Sequence, residues 1–264
     1  MKLRYLLIWF GAVIAVIVSG CGGQKSEADK NSAKKELLIF SGGGLRPPVA
    51  ELADTFGKEN GVDVLTDYAG AEVLISKAKL SKRGDIYMPG DKEYVDLAAT
   101  KGLILYQKSV CYFVPTILVQ KGNPKEITGL KDLTRPGIKL GLGNAQYIPI
   151  GRKSKRLLAK NGISWADIEP NLKFQSATVN ELCLQIQAKS LDAVIVWDAV
   201  AHCYAKYGDQ IAIPRDQNVV STVDAGVLKF TRNRELAGEF VDFLRSERGR
   251  AVFRKHNYRV DTPE

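Results

Sequence analysis

The chain has few of the residues and motifs on which enzymes commonly depend. It contains only two histidines, His202 and His256, and neither lies within a recognisable motif. The G-x-S-x-G motif of many serine hydrolases and the H-E-x-x-H motif of zinc proteases do not occur. The glycine triplet at 42–44 lacks the Lys-Ser/Thr pair of a phosphate-binding P-loop, and GLGNAQY at 141–147 does not complete G-x-G-x-x-G. We therefore predict a protein that is not an enzyme and has no cofactor.

Long apolar runs are missing after residue 36 and are confined to the N-terminus. There, two basic residues precede an apolar stretch at 5–18, which leads into Val-Ser-Gly-Cys at 18–21. This order is typical of an export signal over residues 1–21, and its end resembles a bacterial lipobox, which implies a lipid on Cys21. An uncleaved anchor is the alternative, but the run is shorter than the roughly 20 apolar residues that a membrane span requires.

Residues 22–36 contain no apolar residue larger than alanine, which predicts a flexible tether. The protein is therefore expected to be exported and lipid-anchored at the periplasmic or outer face of a bacterial membrane. The net charge is +9, but the basic residues are spread along the chain. Scattered charge and an exported location both argue against nucleic acid as a partner. We expect a monomer.

Cysteine is scarce, with only Cys111, Cys183 and Cys203 beyond Cys21. An odd number leaves at least one thiol unpaired within the chain, and a bridge between Cys183 and Cys203 is one possibility in an oxidising compartment. The spacing matches no zinc-binding pattern. We predict no metal ligation by these thiols.

Short β-rich segments alternate with helical patterns from residue 37 onwards. A helix is predicted over 48–61, where apolar residues recur at helical spacing and glycine ends the run. Thr178 and Glu181 have the spacing of a capping box and mark the start of another helix. Alternation of this kind predicts an α/β fold with parallel strands.

The alternation restarts near residue 112, which predicts a bilobed body. We assign residues 37–113 and 222–264 to the first lobe and 114–221 to the second. The extended segments at 112–120 and 219–230 are the predicted crossover strands between the lobes.

Four predicted strand-to-helix junctions share a turn of polar or small residues. They are SGGGLRPP (41–48), YAGAEVL (68–74), NAQYIPIGRK (144–153) and SATVNEL (176–182). Ligands of parallel α/β sheets bind at the carboxyl ends of the strands, where helix starts offer free N–H groups and a partial positive charge. Two junctions from each lobe predict a shared pocket rich in donors for a small anion. The glycines would let the anion approach the backbone.

The order of these motifs resembles the substrate-binding proteins of molybdate ABC transporters, which have the type II periplasmic binding protein fold. The resemblance covers residues 37–260 and rests on IFSGGGL, ENGVDV, DYAGAEVL, GDIYMPGDKEYVDLA and GLGNAQYIPIGRKSKRLL. It implies a bilobed fold, an oxyanion ligand such as molybdate or tungstate, and an ABC permease as partner.

The resemblance also implies site residues. The family holds its oxyanion with two serines, which fall here on Gly44 and Ala71, with amides at Ile150 and Val179, and with a tyrosine that falls on Trp197. All three side-chain hydroxyls are therefore absent, and backbone amides and the indole N–H would have to replace them. The predicted ligand-binding set is Gly43, Gly44, Leu45, Ala71, Glu72, Ile150, Val179, Asn180, Trp197 and Asp198.

Several alternatives stay open. Glu72 or Asp198 could accept a hydrogen bond from a protonated oxyanion such as hydrogen phosphate or arsenate, or Glu72 could simply cap its helix. Trp197 could fill the core instead of binding a ligand. Tyr68 and Tyr147, with these carboxylates, could hold a metal ion. A small organic anion and a sensory role without transport are also compatible with the sequence.

Overall fold

The computed structural model of the protein describes residues 35–262. The predicted export signal, Cys21 and residues 22–34 of the predicted tether lie outside the described residues. Residue 36 is not part of a tether, because Glu36 pairs with Asp63 at the start of a parallel strand ladder. Over the described part of the chain, no helix combines the length and the apolar character needed to cross a membrane.

Residues 35–262 form ten strands and nine α-helices, which largely alternate along the chain. The strands β1 to β10 are Glu36–Gly42, Asp63–Ala69, Ile86–Met88, Ile104–Phe113, Pro115–Gln120, Leu140–Gly143, Leu172–Ser176, Ala193–Trp197, Gly208–Ile211 and Ser221–Leu228. The helices α1 to α9 are Arg46–Asn60, Ala71–Ser81, Lys92–Thr100, Pro149–Lys160, Trp165–Ile168, Val179–Gln187, Asp198–Cys203, Arg234–Arg245 and Glu247–Lys255. Short 3₁₀ turns lie at Gly43–Leu45, Leu130–Thr134 and Glu169–Asn171.

The strands form two five-stranded sheets, one in each lobe. The first has the order β2-β1-β3-β10-β4 and the second the order β7-β6-β8-β5-β9. Strand β1 is parallel to β2 and β3, and β6 is parallel to β7 and β8. Strand β10 runs antiparallel to its neighbours, as does β5. The predicted bilobed α/β fold is confirmed, but the sheets are mixed and not purely parallel.

The antiparallel strands arise where the chain passes between the lobes. Strand β4 leads through Val114 directly into β5, which belongs to the other sheet, and β10 later returns the chain to the first sheet. A parallel neighbour requires a crossover, usually through a helix, and these strands enter from the opposite lobe instead. The predicted crossovers at 112–120 and 219–230 are thus largely built into the sheets. The lobe limits given above stay a prediction.

Residues with a local conformational role explain several element boundaries. Helix α1 begins at Arg46, slightly earlier than predicted, and ends at Asn60, where the following Gly61 has a φ of +64° that favours glycine. Strand β9 occupies Gly208–Ile211. At Gly208 a Cβ would lie 2.5 Å from Val119 O in β5, so this glycine permits close strand pairing. The short helix α5 was not predicted.

A continuous apolar core joins the lobes. One cluster of buried residues includes Leu37 and Ile39 of β1, Ile117 of β5 and Val194 of β8, all fully buried. Phe113 at the end of β4 belongs to the same cluster. The lobes therefore pack against one another beside the crossing strands, and this packing sets the distance between the strand ends that face each other.

Candidate ligand-binding site

A small cavity lies between the lobes, where strands end and helices begin. It offers about 30 Å³ to the centres of water molecules, whereas roughly 10–15 Å³ of such space holds one water. The cavity therefore fits a small ligand or very few waters. The residues of its wall are Gly42, Gly43, Gly44, Leu45, Ala69, Gly70, Ala71, Gly90, Phe113, Ile148, Pro149, Ile150, Thr178, Val179 and Trp197.

The wall contains most of the residues that the sequence predicted for ligand binding. Those present are Gly43, Gly44, Leu45, Ala71, Ile150, Val179 and Trp197. Glu72, Asn180 and Asp198 follow wall residues in the chain but do not belong to the wall. All four predicted junctions thus meet at one cavity. The three predicted residues that are not in its wall have side chains that contact other parts of the protein.

Helix starts supply most of the polar groups in the wall. Amides in the first turn of a helix have no partner within that helix, and together they carry about half a positive charge. No side chain caps the starts of α2 and α4, which follow Gly70 and Ile148. The 3₁₀ turn at Gly43–Leu45 also begins without a side-chain cap. Such open amides suit a small anion that accepts hydrogen bonds from both lobes.

Trp197 adds a side-chain donor to these amides. The residue is 2% exposed, and its ring stacks on Phe113 with centroids 4.9 Å apart. A Cβ built on Gly90, another wall residue, would lie 3.6 Å from Trp197 Nε1, so the N–H edge of the ring borders the cavity. Within residues 35–262 this N–H forms no hydrogen bond. A buried indole N–H usually has an acceptor, and a ligand in the cavity would supply one.

None of the wall residues has a charged side chain. Glu72 Oε1 lies 3.7 Å from Arg152 Nη2. Asp198 Oδ1 accepts from Ala199 N at 2.9 Å, and Asp198 Oδ2 accepts from Arg259 Nε at 3.0 Å. The two carboxylates that could have accepted a ligand proton are therefore engaged by the protein itself.

Glycines in the wall allow the lobes to touch. A Cβ on Gly44 would lie 3.0 Å from Val179 Cγ1 and 3.2 Å from Val200 Cγ2, and both valines belong to the opposite lobe. A Cβ on Gly70 would lie 3.0 Å from Ala177 O, also across the cleft. The sequence suggested that these glycines admit an anion to the backbone. In the structure they admit the opposite lobe, and the anion-sized space lies beside them.

Polar contacts also cross between the lobes. Asn180 Nδ2 donates to Gly43 O at 3.3 Å, which gives this predicted site residue a role in closure. Lys153 Nζ of α4 lies 3.0 Å from Asp91 Oδ2 and 3.6 Å from Glu93 Oε1 at the start of α3. The Lys153 and Asp91 side chains are largely buried, so solvent screens this pair little. These contacts hold the two walls of the cavity together.

The pKa of Glu93 reflects the same contacts. Burial raises the pKa of this carboxyl, but its hydrogen bond to Arg156 and the charge of Lys153 outweigh burial and hold it below the ordinary value. Both cations come from α4 of the second lobe, whereas Glu93 belongs to the first lobe. The lowered pKa is therefore a property of the closed arrangement.

The residues proposed for a metal ion have other surroundings. Glu72 and Asp198 are paired with arginines, the Tyr68 ring lies 4.4 Å from the Arg46 guanidinium carbon, and Tyr147 is 45% exposed. In the part of the chain that the structure describes, no three or more His, Cys, Asp or Glu side chains are grouped as metal ligands would be.

The three cysteines that the structure describes are free thiols, so the bridge between Cys183 and Cys203 that the sequence allowed is not formed here. Cys183 is buried and Cys203 is exposed. Burial raises the pKa of the Cys183 thiol, which keeps it protonated and unreactive at neutral pH.

Sequence reasoning missed several wall residues. Gly90 lies in the MPGD turn between β3 and α3, a fifth strand-to-helix junction that the same reasoning could have included. Gly70, Ile148 and Thr178 each precede a predicted helix start and were overlooked in favour of the residues after them. Phe113 carries no local signal, because it is the last residue of a crossing strand.

Comparison with known families decides the protein's class. The sequence profile described as bacterial extracellular solute-binding protein matches residues 37–259. The chain belongs to this family. The match spans both lobes of the solute-binding protein, and every residue of the cavity wall lies within it.

Individual relatives of this solute-binding protein are distant. The molybdate-binding protein ModA of Mycobacterium bovis is 24% identical over 258 residues, which cover 95% of this chain and 97% of that protein. The periplasmic molybdate-binding protein of Azotobacter vinelandii superposes with a TM-score of 0.74 at 15% identity, covering 86% of this chain and 100% of that chain. The sulfate-binding protein SubI of Mycobacterium tuberculosis gives 0.76 at 17% identity, covering 87% and 88%. All three are named as binding proteins, and the two structures confirm the fold.

Proposed function

We propose that this solute-binding protein is exported and lipid-anchored through Cys21, captures a small, fully ionised tetrahedral oxyanion, and passes it to an ABC permease. Molybdate and tungstate are the favoured ligands. The name and the nearly full-length match of the ModA relative support this choice. The lipobox pattern before Cys21 supports the anchor.

The chemistry of the cavity wall carries the proposal. Uncapped helix starts from both lobes and the Trp197 indole offer hydrogen-bond donors, and no wall residue has a charged side chain. A dianion that carries no proton near neutral pH needs donors alone. Hydrogen phosphate and hydrogen arsenate carry a proton that needs an acceptor, and the adjoining carboxylates of Glu72 and Asp198 are held by arginines. The wall therefore favours molybdate, tungstate or sulfate over the protonated oxyanions.

Closure of the lobes couples binding to delivery. Each lobe contributes only part of the donor set, so a ligand gains all of its hydrogen bonds only when the walls meet. Differential binding of this kind shifts the population towards the closed form, by hinge motion about the crossing strands. The permease would then recognise the closed form, in which the two lobe surfaces have a fixed relative orientation.

Titration of the purified protein tests the ligand class. Molybdate, tungstate, sulfate, phosphate, arsenate, ferric citrate and a small carboxylate should be compared at equal ionic strength by calorimetry and thermal unfolding. At 100 times its Kd a ligand stabilises the folded state by about 2.7 kcal/mol, which raises Tm by roughly 5–10 °C in a protein of this size. We expect this shift for molybdate and tungstate and little change for phosphate. A response to iron or the carboxylate, with none to any oxyanion, would overturn the proposal.

Replacement of the lipidation residue tests the anchor separately. In a bacterial host, the wild-type protein should fractionate with membranes and carry the mass of a diacylglycerol group on its N-terminal cysteine. The Cys21→Ser variant should appear in the soluble extracytoplasmic fraction with unchanged affinity for the ligand. Membrane association that survives Cys21→Ser would instead support the uncleaved anchor.

A further inference from the structure

The C-terminal segment reaches both walls of the cavity without belonging to either. We call residues 257–261 the C-terminal strap. Asn257 turns the chain out of α9 with a φ of +64°, a conformation that asparagine tolerates. Tyr112 N in β4 then donates to Arg259 O at 2.7 Å. The strap is thereby fixed beside the strand on which the chain leaves the first lobe.

Tyr258 of the strap controls a carbonyl in the first-lobe wall. Its hydroxyl donates a hydrogen bond to Gly44 O, and its buried ring packs against Phe113 with centroids 5.3 Å apart. In a planar trans peptide the C=O and the following N–H point in opposite directions. Holding Gly44 O against Tyr258 therefore fixes the direction of Leu45 N–H and keeps a partial negative charge away from the cavity.

Arg259 of the strap controls a charge beside the second-lobe wall. Its Nε donates to Asp198 Oδ2 at 3.0 Å, and Asp198 directly follows Trp197 in the chain. The Asp198 side chain is only 17% exposed, whereas that of Arg259 is 54% exposed. A largely buried carboxylate next to an anion site repels the anion with little screening. The Arg259 guanidinium offsets this repulsion and also ties the strap to the opposite lobe.

We propose that the C-terminal strap is a positioning element of the anion site. Tyr258 orients the Gly44–Leu45 peptide so that its donor serves the ligand, and Arg259 neutralises Asp198 beside Trp197. This inference rests on the proposed function, because both roles matter only for an anion in the cavity. Neither residue touches the cavity itself, so both act through their partners.

A hydroxyl deletion tests the first role. In Tyr258→Phe the ring and its packing on Phe113 remain, while the donor to Gly44 O is lost. We expect the affinity of the full protein for tungstate to fall about tenfold, with Tm of the ligand-free protein changed little. The matched control is Tyr112→Phe, which removes a neighbouring hydroxyl whose contact is the exposed Thr262 side chain. Equal affinities in Tyr258→Phe and wild type would overturn this role.

A double-mutant cycle tests the second role. We expect Arg259→Met to weaken tungstate binding about tenfold, because it leaves the Asp198 carboxylate unneutralised. Asp198→Asn removes the same charge, so the Arg259→Met/Asp198→Asn double variant should bind within about threefold of Asp198→Asn alone. A purely structural contribution of Arg259 would persist in the double variant. Persistence of the full tenfold loss there would overturn the neutralising role.

Hydrogen exchange without ligand separates the failure of this inference from the failure of the proposed function. We expect amides in residues 41–46 to exchange faster in Tyr258→Phe than in wild type or Tyr112→Phe. If wild type binds no oxyanion while exchange is faster, the proposed function fails but the strap still orders the glycine turn. If wild type binds tungstate while Tyr258→Phe changes neither exchange nor affinity, the strap has no positioning role.

Discussion

The two walls of the cavity are built from opposite kinds of residue. The first-lobe turns at 42–45 and 69–71 consist mostly of glycine and alanine, and their helix starts have no side-chain caps. The second-lobe wall instead presents the bulky side chains of Ile148, Ile150, Val179 and Trp197. The first-lobe wall therefore exposes mainly backbone atoms to the cavity. The second-lobe wall limits the size of the cavity with large side chains and adds the indole donor.

The start of α6 shows how far this difference extends. Its N-cap Thr178 and Glu181 form the predicted capping box, in which Thr178 Oγ1 accepts from Glu181 N at 3.4 Å. Part of the donor capacity of α6 is thus used within the helix, whereas α2 in the first lobe keeps all of its first-turn amides free of side-chain caps. Because α4 of the second lobe is uncapped like α2, α6 is the helix start that is expected to contribute least to anion affinity.

The largest effect is expected when a bulky side chain is introduced into the first-lobe wall of glycine and alanine. In Gly44→Val the added side chain would collide with Val179 and Val200 across the cleft. We expect the closed form to be blocked and tungstate affinity to fall more than 100-fold, with little change in the Tm of the ligand-free protein. Gly129→Val is the control, because a Cβ there meets nothing within 4 Å. Tight binding by Gly44→Val would show that closure does not depend on this contact.

Removal of the indole donor tests the contribution of the second-lobe wall to ligand affinity. Trp197→Phe keeps an aromatic ring beside Phe113 but deletes the only N–H of the side chain. A hydrogen bond to a charged group contributes about 1.5–3 kcal/mol, so affinity should fall by roughly 10- to 150-fold. Trp165→Phe is the control, since Trp165 packs under Lys155 away from the cavity wall. A loss of less than threefold in Trp197→Phe would contradict a role for the indole.

The contact between the walls gives the smallest effect, and it is measured as the stability that is lost when the pH falls. Because the folded-state pKa of Glu93 is lowered, its contribution to stability is present above the ordinary value of 4.5 and is lost as pH falls below it. Wild-type Tm should therefore decrease more steeply than that of Glu93→Gln between about pH 5 and pH 3. Glu239→Gln, at an exposed position, should follow wild type. Parallel curves for Glu93→Gln and wild type would remove Glu93 from the closure contacts.

Local pattern was enough to predict the bilobed fold and the four junctions. Strand-to-helix junctions necessarily lie at the carboxyl ends of strands, so residues such as Ala71 and Val179 could be assigned to one region from spacing alone. The sequence drew attention to Gly44, but the closeness of Gly44 to Val179 in the other lobe is not encoded by any local pattern.

Partners distant in the chain account for what the sequence could not supply. Asp198 is neutralised by Arg259, 61 residues later, and Glu72 meets Arg152 across the cleft. Tyr258 reaches Gly44 over 214 residues. The relative placement of the lobes decides whether a carboxylate is directed at the ligand or is paired with an arginine. A single sequence does not reveal that placement.

A crystal structure of the protein with tungstate would test the site most directly, because tungsten is located by its anomalous scattering. We expect one tungsten peak in the interlobe cavity, with its oxygens about 2.7–3.2 Å from amide nitrogens of both lobes and from Trp197 Nε1. A peak elsewhere, or one held by side-chain cations with the cavity unchanged, would contradict an anion site built from helix starts.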